Sequence, residues 1–153
     1  MPPLRAVLVP FVLLSVVLPG RHIALAQSAV AAQFDTTRTV TIAGTVNEVM
    51  FPAGRSYLAI ETKSAAGATE KVVVQGNGLG VLKKAGWSPK GTVPLGAAVS
   101  VTAYRPRPGA DLTAALPPGS PEVVLEAAMA GRLLSGIEVT LPDGRKLPFG
   151  PAK

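Results

Sequence analysis

The sequence contains no cysteine. Disulfide frameworks, thiolate metal sites, iron–sulfur clusters and cysteine nucleophiles are therefore excluded. Histidine occurs once, at His22. If the first 26 residues are removed on export, the remaining chain has no imidazole. A Ser-His triad, a His general base and a His-ligated metal are then excluded as well. Neither a transition-metal site nor any cofactor is expected, because the preferred ligands are missing. Aromatic residues are few: one Trp, two Tyr and four Phe in 153 residues. From residue 27 onward they are Phe34, Phe51, Tyr57, Trp87, Tyr104 and Phe149, and they do not cluster. The stacked platform of a single-strand nucleic-acid binder is therefore not expected.

What is present begins with a leader. Arg5 precedes a run of thirteen largely apolar residues, Ala6 to Leu18, which Pro19-Gly20 interrupts. Ala24-Leu25-Ala26 then offers a small-x-small cleavage site, with Gln27 as the new N-terminus. Residues 1–26 thus read as a secretory signal peptide, which places the mature protein in the periplasm or outside the cell. A retained anchor is the alternative, but the apolar run rises only about 20 Å as a helix, short of a ~30 Å hydrocarbon core. No later run is long enough to span a membrane. Beyond the leader, thirteen basic residues face nine acidic ones, a net charge of +4. That balance favours solubility and is too evenly spread to imply a nucleic-acid partner. Residues 27–153 suit one domain with one core.

Gln27 to Asp35 is small and Ala-rich, and is expected to form a mobile tail. Arg38 to Met50 alternates, with Val40, Ile42 and Val46 on one face and Thr39, Thr41 and Thr45 on the other, which predicts a half-buried strand. Gly44 falls on the apolar face, where a sharp bend is allowed. The apolar phase then shifts by one, to Val49 and Phe51, which predicts a bulge near Asn47-Glu48, with Glu48 bonding to it. After the turn at Pro52-Ala53-Gly54, Arg55 to Lys63 reads as a strand with Leu58 and Ile60 inward and Tyr57 and Glu61 outward. Glu70 to Gln75 carries three valines, a strand buried on both faces or at a barrel closure. Leu79 to Ala85 is a short helix stopped by Gly86, and Val99, Val101 and Ala103 mark a strand over 97–105. Pro106 to Pro121 is a Pro/Gly-rich loop that is expected to reach over the barrel without adding to the core. Glu122 to Leu134 stays open between a helix, which its helix formers allow, and a bulged strand, which is favoured because Gly131 argues against a long helix. Ile137, Val139 and Leu141 alternate into the Pro142-Asp143-Gly144 hairpin turn, and Arg145 to Leu147 returns. Five strands with one short helix after the third describe an all-β, OB-like five-stranded barrel.

Gly44 to Phe51, Ser56 to Ile60, Leu82 to Trp87 and Leu141 to Arg145, in that order, resemble an uncharacterised family of small exported proteobacterial proteins. The resemblance covers roughly residues 32–147 and implies an OB-like barrel behind a signal peptide, without an established activity. The chain departs from the family in two places. Ala31-Ala32-Gln33-Phe34 stands where the family shows His-His-Ser-Phe. Phe51-Pro52-Ala53-Gly54-Arg55 stands where it shows Trp-x-Asn-Pro-His. Any metal or ligand held by those histidines is beyond this chain.

Catalytic motifs are weak. Gly76-Asn77-Gly78-Leu79-Gly80 lies between a strand and a helix but fails the dinucleotide fingerprint, and a plain turn explains it. Glu48, Glu61, Glu70, Glu122 and Glu126 could supply a carboxylate pair, yet nothing in their spacing selects one. No catalytic residue and no metal ligand is assigned. The candidate binding residues are Arg55, Tyr57, Trp87, Arg105 and Arg107, with Trp87 also a candidate plug for the barrel end. In OB-like barrels the loops after the first and fourth strands flank the binding face, so the site is expected where the 52–55 turn meets the 106–121 loop. The reading is an exported, non-enzymatic binding domain for an envelope protein or a small ligand. A small-molecule or saccharide-binding module and a carboxylate-based hydrolase are the alternatives.

Overall fold

A computed structural model describes residues 29–151. The expected signal peptide and its expected cleavage before Gln27 lie outside those residues. A helical turn, α1 (29–33), leads into β1 (Phe34–Met50), β2 (Arg55–Lys63) and β3 (Thr69–Asn77). Helix α2 (Leu79–Lys84), β4 (Ala98–Pro106), helix α3 (Glu122–Met129), β5 (Leu133–Thr140) and β6 (Lys146–Pro148) follow. Neighbouring strands run β3-β2-β1-β4-β5-β6, and β3 also pairs with β5. That last pairing, which is parallel, closes five strands into a barrel. β6 is an antiparallel hairpin extension of β5. The small all-β barrel with α2 between β3 and β4 is the expected architecture.

β1 closes the barrel by serving two neighbours. Its first part pairs with β4, as in Val40 with Ala103 and Gly44 with Val99. Its last part pairs with β2, as in Val46 with Ile60 and Val49 with Leu58. A strand shared in this way must bend, and Gly44 sits at the bend. A Cβ there would fall 2.5 Å from Ile60 Cγ2 and closer still to the Glu61 carbonyl oxygen. The bulge follows: Val46 faces Ile60 and Glu48 faces Ala59, so Asn47 is the extra residue. Asn47 Nδ2 donates to Glu61 Oε2 at 3.0 Å. Glu61, rather than the expected Glu48, therefore braces the bulge.

Inside the barrel, Val46, Leu58, Ile60, Val72, Val74, Val101 and Val139 form one core. Val73 points outward, and Val73 and Val74 stand opposite Leu133 and Leu134 across the parallel closure. A second core covers the outer face of the wall: Tyr57, Ala59 and Val73 pack with Phe34, Leu112, Val124, Ala127 and Ala128. α3 supplies much of that cover, lying against β3 and β5. The bulged strand expected over 122–134 is thus corrected to a helix followed by β5. Val124, Ala127 and Ala128 are buried at helical spacing, and Pro121 stands at the N-cap. Gly131, at φ 68°, lies just past the C-cap Ala130, so it ends this helix instead of opposing it.

The tail is corrected likewise over its described part: residues 29–33 are helical and Phe34 is fully buried in the second core. The backbone N–H of Arg107 donates to Gln33 O at 2.8 Å, and Arg107 Nε to Ala31 O at 2.7 Å. One end of the barrel interior is filled by Trp87 and Phe149, whose ring centroids lie 5.2 Å apart. The indole Nε1 donates to Pro148 O at 2.7 Å. The plug is therefore a pair, and the sequence reading missed its second member.

Candidate functional site

Two irregular segments meet beside β2. Pro52-Ala53-Gly54 turns the chain from β1 into β2, with Gly54 at φ 82°. Across from it, Pro117 to Ser120 forms a second turn, in which the Ser120 N–H and hydroxyl both donate to Pro117 O, at 3.2 and 2.7 Å. Between them lies a cavity of about 230 Å³, walled by Pro52, Ala53, Arg55, Tyr57 and the 117–120 turn. The expected meeting of the 52–55 turn with the 106–121 loop is therefore present.

Tyr57 faces away from the barrel interior, as its strand parity predicts, but its expected exposure is corrected: it is 0% exposed. The cover comes from far along the chain. Leu112 is buried in the same cluster and Leu116 packs against it, so the 106–121 loop does add to a core. Asp111 shapes the loop: its carboxylate accepts from the Thr113 hydroxyl at 2.6 Å and from the Thr113 and Ala114 N–H groups at 3.0 and 3.2 Å. Those bonds hold the Asp111 carboxyl below its usual range. The Tyr57 hydroxyl and the Ser56 Oγ are buried and have no hydrogen-bond partner among the described residues. A buried polar group left unpaired costs about 1–3 kcal/mol.

Arg55 opens β2 and is half-buried. Antiparallel register sets it opposite Asn77 and sets Tyr57 opposite Gln75. Its Nη1 donates to Gln75 Oε1 at 2.8 Å. On its other side lies a second cavity of about 300 Å³, to which Gln33, Gln75, Asn77 and Ser135 contribute polar groups. The segments in which the resemblance places histidines, 31–34 and 51–55, both reach this cavity, through Gln33 and Arg55. Two ion pairs occur among the described residues, Arg145 with Asp143 and Lys146 with Glu138, and neither involves Arg55.

The structure thus brings Arg55 and Tyr57 together and leaves the other three candidates apart. Trp87 is 4% exposed, with its one polar atom committed to Pro148. Arg107 is exposed and ties down residue 31. Arg105 borders a wide groove of about 1130 Å³ on another part of the barrel, which Ile42, Val72 and Leu134 also line and to which Arg132 contributes a second guanidinium. Gln33, Gln75 and Asn77 were missed in the sequence. The available signal was polar residues closing a valine strand opposite Arg55 and Tyr57.

Among the described residues, no carboxylate lines either cavity beside Arg55. Asp35 and Asp143 are lowered like Asp111, by the Thr37 hydroxyl and by the Arg145 N–H respectively. Lowered carboxyls serve as fixed acceptors at neutral pH, the opposite of a general acid. Among the described residues no three His, Asp or Glu side chains gather as a metal site would require. What the arrangement offers is recognition: one cation, neutral amides and a phenol around two small hollows.

Residues 16–114 match DUF6152, a family of unknown function. The match ends inside the β4–β5 connection, before α3 and β5, whereas the motifs quoted from the sequence run on to Arg145. No curated protein and no solved structure matches the chain.

Proposed function

Since the chain belongs to this family of unknown function, its role has to be read from its own geometry, and we propose that it is an exported, non-enzymatic binding domain. Its binding region is the end of the barrel where the 52–55 turn meets Pro117 to Ser120. The observation that carries this is Arg55: a half-buried guanidinium between two cavities, supported by Gln75 and without a carboxylate partner among the described residues. A cation in that position is half desolvated and keeps donors free for a ligand. The fold supports the location, because the loops after the first and fourth strands flank the ligand face of such barrels. Export rests on the leader, and an intact mass beginning at Gln27 tests it.

The partner is an envelope protein or a small envelope ligand. The size of the two cavities favours a small ligand, or a short protruding part of a protein. Among the described residues neither lining offers the carboxylate pair that a hydrolase reading would need. The binding region is tested with an Ala53→Trp variant, which fills the smaller cavity from an exposed position. Wild-type and variant chains are immobilised, exposed to envelope extract, and the retained species compared by mass spectrometry. The reading predicts that Ala53→Trp keeps the wild-type melting temperature and loses the species retained by the wild type. Equal retention by both chains overturns it.

A further inference from the structure

We propose that the cavity between the 52–55 turn and Pro117 to Ser120 is a site for a small organic carboxylate. This deepens the reading above and rests on it. Two independent observations converge there. The first is the Arg55 guanidinium on the cavity wall, which is half-buried and has no carboxylate partner among the described residues. Its planar fork matches a carboxylate with two parallel hydrogen bonds. The second is Tyr57, also on the wall, with a buried hydroxyl that has no hydrogen-bond partner among the described residues. Buried hydroxyls are almost always satisfied, so an orphan beside a cavity marks a place where something else supplies the acceptor.

The rest of the wall selects the body of the ligand. Pro52, Pro117 and Pro118 present saturated carbon, and their rings hold the opening in one shape. Among the described residues, no lysine and no second arginine lines the cavity. A phosphate dianion would meet one cation there and apolar walls elsewhere. A carboxylate with a short carbon tail matches both: its oxygens face Arg55 and the Tyr57 hydroxyl, and its tail lies against the prolines. The volume, about 230 Å³, is below the range of drug-sized sites, so the tail is short.

Butyrate serves as the probe, with butanamide and inorganic phosphate as controls, each titrated into the ¹⁵N-labelled mature protein and followed by its amide resonances. Butyrate should shift the amides of Arg55, Tyr57, Gly119 and Ser120. Butanamide, which has the same tail without the charge, should bind roughly tenfold more weakly. Phosphate should leave those four resonances in place. Tyr57→Phe keeps the ring and removes only the orphan hydroxyl, so the ligand-free variant should melt no lower than the wild type while its butyrate affinity falls roughly threefold. Arg55→Gln, checked for folding by circular dichroism, should abolish the butyrate shifts. Equal binding of butyrate and butanamide, preference for phosphate, or no butyrate shift at these residues overturns the proposal. If the Ala53→Trp experiment still shows loss of retained species in that event, the binding region stands and the ligand class is wrong. If both fail, the region itself is wrong.

Discussion

A methyl group on Gly44 has to displace either the Glu61 carbonyl or the Ile60 side chain, because both already occupy the space that a Cβ would need. Gly44→Val should therefore destabilise the protein by at least about 1–3 kcal/mol, the usual cost of overpacking, as read from urea unfolding. An unchanged midpoint would mean that β1 passes Gly44 without the bend. Trp87→Phe makes a second residue-scale test. The smaller ring still packs against Phe149, but the Pro148 carbonyl loses its donor, so the loss should be about 1–3 kcal/mol by the same measurement. Both positions were readable in the sequence for physical reasons. A glycine on the apolar face of an alternating strand signals a bend, and a tryptophan directly after a helix stop signals a cap on a core. Tyr57 was not readable in the same way. Strand parity gives the direction of a side chain and says nothing of what covers it, and here the cover lies beyond β4.

At the scale of elements, the β4–β5 connection decides whether the outer wall of β2 and β3 is dry. Leu112 and α3 together cover Tyr57, Ala59 and Val73. Leu112→Ala should cost about 2–5 kcal/mol in thermal or chemical unfolding, as a core leucine does. A surface insertion would lose almost nothing, because loop length itself is cheap. The sequence left this segment open because an eight-residue helix shows only two turns of periodicity. Gly131 also weakens a helix in its interior and ends one at its C-terminus, and only the chain position of the last turn tells these apart. The strands were legible because their alternation runs longer: 13 residues of β1, from Arg38 to Met50, with one phase slip at the bulge.

For the whole molecule, the titrating groups define the pH response. Asp35, Asp111 and Asp143 have folded pKa values below the unfolded one, each through hydrogen bonds to its carboxylate. Their contribution to stability is present above the unfolded pKa and is lost as pH falls through the folded one. The one histidine is His22, so no side chain from Gln27 onward has an ordinary pKa between about pH 5 and 8. The melting temperature of the chain from Gln27 onward should be flat across that window and fall only below about pH 4. A step near neutrality would point to a buried group that this account does not contain.

The central claim is that ligands meet this barrel at the Arg55 end, and photo-crosslinking tests it most directly. A photoreactive amino acid is placed, one position at a time, at Ala53, Gly119, Ala65 and Lys90 of the protein, and living cells are irradiated. Ala53 and Gly119 flank the small cavity, Ala65 borders the wide groove, and Lys90 lines none of the three hollows. The account predicts adducts of defined mass at positions 53 and 119 and none at 65 or 90. Adducts confined to position 65, or equal labelling at all four positions, would contradict it.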